Sequence, residues 1–231
     1  MSRLTLIGTG PGDPELLTLK AARLIAAANV VAFPQKPGEA SLAFEIAGAH
    51  VAPGAQLLPT DIPMNVDPEP ARAAYRQLAD ALIGQVQAGR DAVYLCEGDP
   101  LFYSSAIPLI EAVSGRVVTA IVPGITSITA ASAEATLPLA LRNEILKVLP
   151  APLPDEVLEA ELERGAAALI KLGRHFDRVR ALLTRLGRAE SAVVVEHATQ
   201  TRQRITPLLQ FAADERPYFS TLLVPAPEAR R

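Results

Sequence analysis

The first half of this sequence alternates short apolar segments with longer amphipathic ones, and this alternation constrains the fold more than any other feature. Residues 3–8, 92–96 and 117–122 have the length and apolar character of buried strands. Helix-length segments separate them. Such an alternation is typical of α/β folds with a parallel sheet. The sequence therefore predicts an N-terminal α/β domain with a mostly parallel sheet.

The segment after the first strand carries local helix signals. Asp13 and Pro14 are suited to the N-cap and the first helical position. From Leu17 onward the apolar residues keep one stripe at helical spacing, so we expect a helix over residues 14–28. The other elements predicted in this half are a strand over 30–33 that Pro34 ends, a loop region over 53–70, and helices over 69–88, 102–113 and 125–134.

A second α/β region is predicted beyond residues 137–142, which are the best candidate for a linker. We therefore expect two domains, at residues 1–140 and 141–231. The second has more adjacent strands, which favours a smaller domain with a mixed sheet. Its predicted elements are strands over 145–149, 167–172, 192–196 and 218–224, and helices over 155–164 and 176–186.

The composition excludes several classes of protein. With 49% hydrophobic residues, 20% charged residues and a net charge of −3, the chain is expected to fold and to bind nucleic acid poorly. No apolar run approaches the roughly 18–20 residues of a membrane span. A lone Cys96 allows no internal disulfide, and no signal-peptide apolar region fits before Gly8, so we expect a cytoplasmic protein. His50, His175 and His197 lack metal-ligand spacing, and no metal site is predicted.

Each of the three predicted strands runs into a turn that contains glycine and proline. The turns occupy residues 8–12, 97–100 and 122–124. In open α/β sheets, ligands bind at the carboxyl ends of the strands, so these turns are candidate binding segments. Each of them, taken alone, is also explained as a turn that caps a helix.

The first turn, residues 8–12, invites comparison with the dinucleotide-binding fingerprint. In that fingerprint a third glycine allows the helix and strand to pack closely, whereas Asp13 occupies the position here. An acidic N-cap also places negative charge where a pyrophosphate would lie. A nicotinamide-dependent oxidoreductase is therefore a disfavoured alternative.

The other two turns carry polar groups. Glu97 and Asp99 offer carboxylates to a cationic or hydroxyl-bearing ligand, and Gly98 lets a ligand approach the backbone. Thr126 and Ser127 follow the third turn and add two hydroxyl groups. Together the turns are a more specific signal than any one of them.

In this order and spacing, the segments 8–18, 97–103 and 122–127 resemble those of the tetrapyrrole methyltransferase family. Members of this family transfer methyl groups from S-adenosylmethionine to carbon atoms of corrinoid and sirohaem precursors. The resemblance continues through the second half, at residues 171–174, 195–196, 203–205 and 218–220. It implies two α/β domains with a cofactor cleft between them, and a homodimer.

Within the family, the chain most resembles the branch that methylates C20 of precorrin-2, giving precorrin-3A in cobalamin biosynthesis. The segments 63–64, 95–97, 148–151 and 171–174 carry this resemblance. Ile62 is a departure, because the branch usually has an aromatic residue there. The alternatives are the cobalt form of the substrate (cobalt-factor II), another branch of the superfamily, and a tetrapyrrole-binding protein without catalytic activity.

The resemblance implies S-adenosylmethionine as the cofactor and S-adenosylhomocysteine as its product. By position in the family motifs, the cofactor contacts are Pro11, Gly98, Asp99, Tyr103, Thr126, Ser127, Leu172, Ala198, Ser220 and Thr221.

The small-molecule tetrapyrrole substrate has peripheral carboxylates, which require cations. The substrate-binding candidates near the motif segments are Met64, Arg142, Lys147, Arg174, His175 and Arg202. The acceptor carbon is already an enamine-like nucleophile, so its attack needs no general base. Glu97 and Tyr218 are candidates for removing the C20 proton after transfer.

Overall fold

The computed structural model describes residues 2–63, 67–212 and 219–227. The strands are β1 (Leu4–Gly8), β2 (Val30–Gln35), β3 (Gln56–Asp61), β4 (Ala92–Cys96), β5 (Thr119–Val122), β6 (Leu146–Pro150), β7 (Ala166–Ile170), β8 (Val193–Glu196), β9 (Arg204–Pro207) and β10 (Ser220–Val224). The α-helices are α1 (Leu19–Ala27), α2 (Leu42–Ala47), α3 (Glu69–Gln87), α4 (Ile107–Val113), α5 (Ser127–Glu134), α6 (Asp155–Leu162) and α7 (Phe176–Arg185). Single 3₁₀ turns cover Pro14–Leu16, Gly48–His50, Gly173–His175 and Leu208–Gln210.

The chain divides into two compact units, Met1–Thr126 and Ser127–Arg231. The sequence placed the boundary at 140/141, after the linker candidate at 137–142. The two positions differ because α5 contacts β10 and therefore groups with the second half.

The first unit is built on a five-stranded sheet in the order β3-β2-β4-β1-β5, and every neighbouring pair is parallel. This confirms the predicted parallel sheet. Alternate residues of its strands enter two separate cores: Leu4 and Leu6 of β1 pack with α3 and α4, while Ile7 packs with α1 and α2. Burial on both faces explains why the strands read as continuous apolar runs.

Tyr75 of α3 and Tyr94 of β4 are the large polar side chains of the first core. They are 2% and 0% exposed. Burial raises the pKa of both phenols, that of Tyr94 well above its ordinary value. Both side chains therefore stay protonated and act as packing groups.

The second unit contains a five-stranded sheet in the order β6-β7-β10-β8-β9. The β6–β7 pair is parallel and the other pairs are antiparallel, which confirms the predicted mixed sheet. Leu169, Val194 and Leu222 of its central strands are fully buried in one core that also includes residues of α6 and α7.

The predicted helix over residues 14–28 is wrong in its first turn. Asp13 caps only a 3₁₀ turn, in which its carboxylate accepts the Glu15 amide at 2.8 Å. Leu17 is then extended, and α1 begins after Thr18, whose hydroxyl accepts the Ala21 amide at 3.1 Å. A second capping residue four positions after Pro14 thus divides the segment.

Two further predictions about the first half are wrong. Pro34 does not end β2, which continues to Gln35 because β3 pairs alongside it. The region 53–70, predicted as a loop, contains β3, which includes Pro59. Proline is tolerated there because β3 is an edge strand of the sheet, where a missing N–H need not interrupt a ladder.

The helix predicted over residues 102–113 is shorter in the structure, where α4 covers Ile107–Val113. Tyr103 has a φ of 52°, in the left-handed region, so the helix cannot extend back through it. α2 and β9 were not predicted at all.

We predict that Thr18→Ala lowers the free energy of unfolding by about 1 kcal/mol, because it removes the side-chain cap of α1. Thr18→Ser keeps the acceptor and serves as the matched control. Urea denaturation of the three proteins measures the difference. If α1 instead began at Pro14, Asp13→Ala would be the costly change and Thr18→Ala would have no effect.

Candidate functional site

The three glycine- and proline-containing turns lie side by side at one edge of the first sheet. They follow β1, β4 and β5, and β1 pairs in parallel with both of the others. Because the carboxyl ends of parallel strands meet at the same edge, the turns are neighbours, and this is the edge at which open α/β sheets bind ligands.

The turn after β4 crosses the end of β1. The Gly98 amide donates to the Gly10 carbonyl at 2.8 Å, and the Gly10 amide donates to the Gly98 carbonyl at 3.3 Å. β4 and β5 flank β1, so they are separated by two strand spacings, about 10 Å. The crossing brings Asp99 to the far side of β1.

There, the Asp99 carboxylate contacts the turn after β5. Its Oδ2 accepts the Gly124 amide at 3.1 Å, and its Oδ1 accepts the Leu101 amide at 2.9 Å. One side chain therefore joins the second turn to the third.

Two glycines allow the turns to pack backbone against backbone. A Cβ placed on Gly124 would lie 2.1 Å from the Gly98 carbonyl oxygen, and one placed on Gly8 would lie 2.4 Å from the same atom. Any other residue at either position would push the Gly98 turn away. The first and third turns thus form a groove that holds the Gly98 carbonyl.

Gly98 itself is required for a different reason. Its φ is +64°, in the left-handed region that favours glycine, whereas the space its Cβ would occupy is open, with the Ile125 carbonyl oxygen nearest at 4.0 Å. The sequence interpretation, that Gly98 lets a ligand approach the backbone, is consistent with that open side.

Hydrogen bonds from Thr9 to the Cys96 carbonyl connect the first turn to the end of β4. The Thr9 hydroxyl donates to the Cys96 carbonyl at 3.1 Å, and the Thr9 amide donates to the same oxygen at 2.9 Å. Thr9 is fully buried. Burial raises the pKa of the Cys96 thiol to about 12, so the thiol is protonated at neutral pH and is a poor nucleophile. Sequence reasoning gave Thr9 no role, although its position between two glycines of the first turn was an available signal.

Glu97 begins the second turn. Its side chain reaches solvent, but the protein atoms around its carboxyl raise its pKa above the ordinary value of 4.5, and nearby Lys36 partly offsets that rise. Lys36 follows β2, which is the neighbour of β4 on the other side from β1. The carboxyl is therefore a better proton acceptor than an ordinary glutamate.

The remaining predicted cofactor residues near these turns also follow the strands, and the last of them, Ser127, is the first residue of the second unit. Pro11 is buried in the first turn. Tyr103 is 48% exposed and its ring contacts Phe102 edge to face, with ring centroids 5.1 Å apart. Thr126 is the last residue of the first unit, and Ser127 begins α5. The structure thus brings Pro11, Gly98, Asp99 and Tyr103 to one edge.

The predicted cofactor residues of the second unit lie at one edge of the second sheet. β7 and β8 end there and β10, antiparallel to both, begins there. Ser220 pairs with Glu196, and the His197 amide donates to the Phe219 carbonyl at 2.8 Å. The predicted residues at this edge are Leu172, Ala198, Ser220 and Thr221.

Three of these side chains point into the protein. Leu172, Ala198 and Thr221 are 0%, 8% and 4% exposed. Contacts with a cofactor would therefore use mainly their backbone groups. Small or apolar side chains at these motif positions are consistent with contacts made through the backbone.

The backbone at this edge is strained. Lys171, His197 and Thr199 have φ values of 59°, 48° and 67°, which place three residues other than glycine in the left-handed region. Such residues cost free energy and concentrate at functional sites. Lys171 directly precedes Leu172, and the other two flank Ala198, so the strain coincides with the predicted contacts.

An ion pair between buried Glu196 and exposed Arg204, which sequence reasoning did not assign a role, supports the same edge. Glu196 is 2% exposed, and its two carboxylate oxygens accept Nε and an Nη of Arg204 at 2.7 and 3.0 Å. The two-point geometry joins the end of β8 to β9. Both residues belong to the motif segments, which was the only signal in the sequence.

Positive charge surrounds the histidines at this edge. Partial burial, together with Arg202 and Arg204, lowers the pKa of His197, against the opposing effect of Glu196. Burial, with Arg174 and Arg178, lowers the pKa of His175. Both rings are therefore neutral at pH 7, and the local field favours an anionic ligand.

The substrate-binding candidates are not all brought together. Arg174 and Arg202 are exposed and follow β7 and β8, at the edge just described. Arg142 precedes β6, which is parallel to β7, so it lies toward the opposite edge. Lys147 forms an ion pair with Glu161 at 2.8 Å. Met64 and Tyr218 lie outside the described residues.

Residues 2–63, 67–212 and 219–227 contain neither a metal-binding cluster nor a membrane-spanning helix. No three His, Cys, Asp or Glu side chains there are grouped so that they could share a metal ion. None of the helices in that part of the chain is both long and apolar enough to cross a membrane. The cofactor cleft between two domains stays a prediction.

Comparisons with known proteins agree with the motifs. Residues 3–211 match the family model of tetrapyrrole (corrin/porphyrin) methylases. A precorrin-2 C(20)-methyltransferase from Sinorhizobium sp is 35% identical, over 97% of this chain and 96% of that protein. A cobalt-precorrin-2 C(20)-methyltransferase from Salmonella typhimurium is 31% identical, over 96% and 95%. The structure of a uroporphyrin-III C-methyltransferase from Thermus thermophilus, complexed with S-adenyl homocysteine, superposes with a TM-score of 0.70 at 26% identity, over 97% and 92%.

We predict that Gly124→Ala lowers the free energy of unfolding by more than about 2 kcal/mol, because its Cβ would collide with the Gly98 carbonyl. Gly84→Ala is the control, since a Cβ on this glycine of α3 meets nothing within 4 Å. We expect Gly84→Ala to raise the stability by up to about 1 kcal/mol. Urea denaturation compares the two. Equal effects of the two substitutions would contradict the packing of the turns.

Proposed function

Because the chain belongs to the family of tetrapyrrole (corrin/porphyrin) methylases, we propose that it transfers a methyl group from S-adenosylmethionine to C20 of precorrin-2, giving precorrin-3A in cobalamin biosynthesis. The observation that carries the proposal is similarity over nearly the full length of two C20-methyltransferases, one acting on precorrin-2 and one on its cobalt form. The membership confirms the resemblance drawn from the motifs.

The residues at the edge of the first sheet fit the proposed cofactor. The space beside the Cα of Gly98 is open, because a Cβ there would meet only the Ile125 carbonyl oxygen at 4.0 Å, so a ligand can approach this turn from that side. Backbone groups of such a turn can bind an adenine and an amino acid moiety, and the Glu97 carboxylate at its start favours a cationic ligand. When bound, S-adenosylmethionine supplies an electrophilic methyl group and leaves S-adenosylhomocysteine.

The protein's contribution to catalysis is mainly positioning. C20 of a reduced tetrapyrrole is an electron-rich carbon that attacks without prior deprotonation. Holding it in line with the methyl group and excluding water therefore accounts for most of the required acceleration. After the new carbon–carbon bond forms, C20 must lose its proton. We propose that Glu97, with its raised pKa, accepts that proton.

We propose that Arg174 and Arg202 bind peripheral carboxylates of the substrate. Both are exposed and lie at the edge of the second sheet where the other cations raise the local potential. Arg142, Lys147 and Met64 remain predictions from the sequence. Lys147 would have to leave its ion pair with Glu161 to contact a ligand.

The experiment that tests the proposed function is a parallel incubation with precorrin-2 and with its cobalt complex. The cofactor carries a ¹³C-methyl group, and mass spectrometry and NMR determine the number and position of the methyl groups gained. One methyl group gained at C20 supports the proposal. The substrate that is methylated faster shows whether the protein acts on metal-free precorrin-2 or on its cobalt complex. A methyl group elsewhere would assign the chain to another branch of the family.

The incubation and a thermal-protection assay together separate the other classes. Binding of the tetrapyrrole with no gain in mass would indicate a binding protein. Thermal protection by NADPH, and not by S-adenosylhomocysteine, would indicate an oxidoreductase. We further propose a cytoplasmic homodimer, on the resemblance to the family.

We predict that Glu97→Gln lowers kcat by about a hundredfold, within the range typical of a lost general base. Because Glu97 acts after methyl transfer, its ionisation should appear in kcat. In the unaltered protein kcat should rise with pH as Glu97 loses its proton, with a midpoint above 4.5, and the variant should lack that rise. Glu111→Gln, an exposed position on α4, is the control. An unchanged pH profile in Glu97→Gln would contradict the assignment.

The raised pKa of Glu97 also predicts a stability effect of defined sign. The folded protein favours the protonated carboxyl, so ionisation destabilises it at pH values above the folded pKa. Glu97→Gln should therefore be more stable than the unaltered protein at pH 7. The difference should vanish below the pKa of the unfolded chain. Thermal denaturation across this pH range measures it.

A further inference from the structure

We propose that Asp99 is a positioning residue whose carboxylate locks the turn after β5 to the turn after β4, and that it supports cofactor binding through the Gly124 and Gly98 backbone. The part that concerns the cofactor rests on the proposed function. The lock itself is a property of the protein alone.

Both carboxylate oxygens of Asp99 already have backbone donors. Oδ1 accepts the Leu101 amide at 2.9 Å, within its own turn, and Oδ2 accepts the Gly124 amide at 3.1 Å, across the end of β1. The two bonds fix the orientation of the carboxylate plane. The negative charge of the Asp99 carboxylate therefore interacts with the Leu101 and Gly124 amides of the protein.

The contact made across β1 depends on very close packing. The space beside Gly124 is so narrow that a Cβ would lie 2.1 Å from the Gly98 carbonyl oxygen. The two Gly10–Gly98 backbone bonds hold the turn after β4 to the first turn, on one side of this junction. On the other side lies the turn after β5, which contains Gly124. The Asp99 side chain supplies a hydrogen bond across this junction.

Neutralising or shortening the side chain should loosen the junction in steps. Asp99→Asn keeps the shape but has only one acceptor oxygen, so its amide group faces either the Gly124 or the Leu101 donor. Asp99→Ala removes both acceptors. A positioning role therefore predicts an intermediate effect for the asparagine variant and a full effect for the alanine variant.

The charge of the cofactor distinguishes positioning from direct contact. S-adenosylmethionine carries a sulfonium cation, whereas the sulfur of S-adenosylhomocysteine is neutral. If the Asp99 carboxylate attracted the cofactor directly, Asp99→Asn would weaken binding of the cation far more than binding of the neutral product. A loosened junction weakens both by the same factor.

The first measurement is hydrogen exchange of the Gly124 amide in the protein without ligand, followed by NMR. We expect faster exchange in Asp99→Asn and faster still in Asp99→Ala, with exchange of the β5 amides unchanged. Exchange of Gly124 that is the same in all three proteins would overturn the lock. This result does not depend on which cofactor the protein uses.

The second measurement is calorimetric binding of S-adenosylmethionine and S-adenosylhomocysteine to the same proteins. We expect Asp99→Asn to weaken both ligands equally, by about tenfold, as for the loss of one hydrogen bond to a charged acceptor. Asp91→Asn is the control, because it removes a charge at the opposite end of β4 while keeping the acceptor oxygen for the Arg3 amide. It should change neither affinity by more than about twofold.

Selective loss of S-adenosylmethionine binding in Asp99→Asn would overturn the positioning role in favour of direct contact. Equal losses in Asp91→Asn and Asp99→Asn would also overturn it, since the cause would then be charge alone. If the unaltered protein bound neither ligand, the proposed function would fail, while exchange of the Gly124 amide would still decide whether the lock exists.

Discussion

The first unit depends on one constraint, the passage of the β4 turn over the end of β1. Strand order places β1 between β4 and β5, so residues after β4 reach the β5 turn only by crossing it. Gly8 makes the crossing sterically possible, and Gly98 supplies the left-handed backbone that it needs. Asp99 then holds the far side. The open side of Gly98, where the cofactor is proposed to bind, results from this arrangement.

The two units carry different local charges at their candidate binding edges. The first has the Glu97 carboxylate beside the open side of Gly98, and the second has arginines around its strained edge. A net charge of −3 hides this separation, because it sums opposite local fields. The proposed binding of an anionic macrocycle and a cationic methyl donor is therefore compatible with one mildly acidic chain.

The sequence predicted the sheets and the neighbouring turns well, because buried parallel strands and glycine turns leave strong local signals. It failed where a contact distant in sequence decided the outcome. Pro34 stays in β2 because β3 pairs with it. Likewise, the motif marked Asp99 as important, but its bond to Gly124 follows from strand order, which one sequence does not show. The start of α1 was missed for a local reason, since Thr18 caps the helix although Asp13 offered an earlier cap.

The buried pair of Tyr75 and Tyr94 gives this protein a built-in optical reporter. The chain has no tryptophan and four tyrosines, so its near-ultraviolet absorption and emission come from phenols. Tyr75, Tyr94 and Tyr103 all belong to the first unit, two in its core and one in the proposed cofactor turn. Because burial keeps the core phenols protonated, their ionisation in alkali reports the opening of that core. Spectroscopy without any label thus observes mainly one half of the molecule.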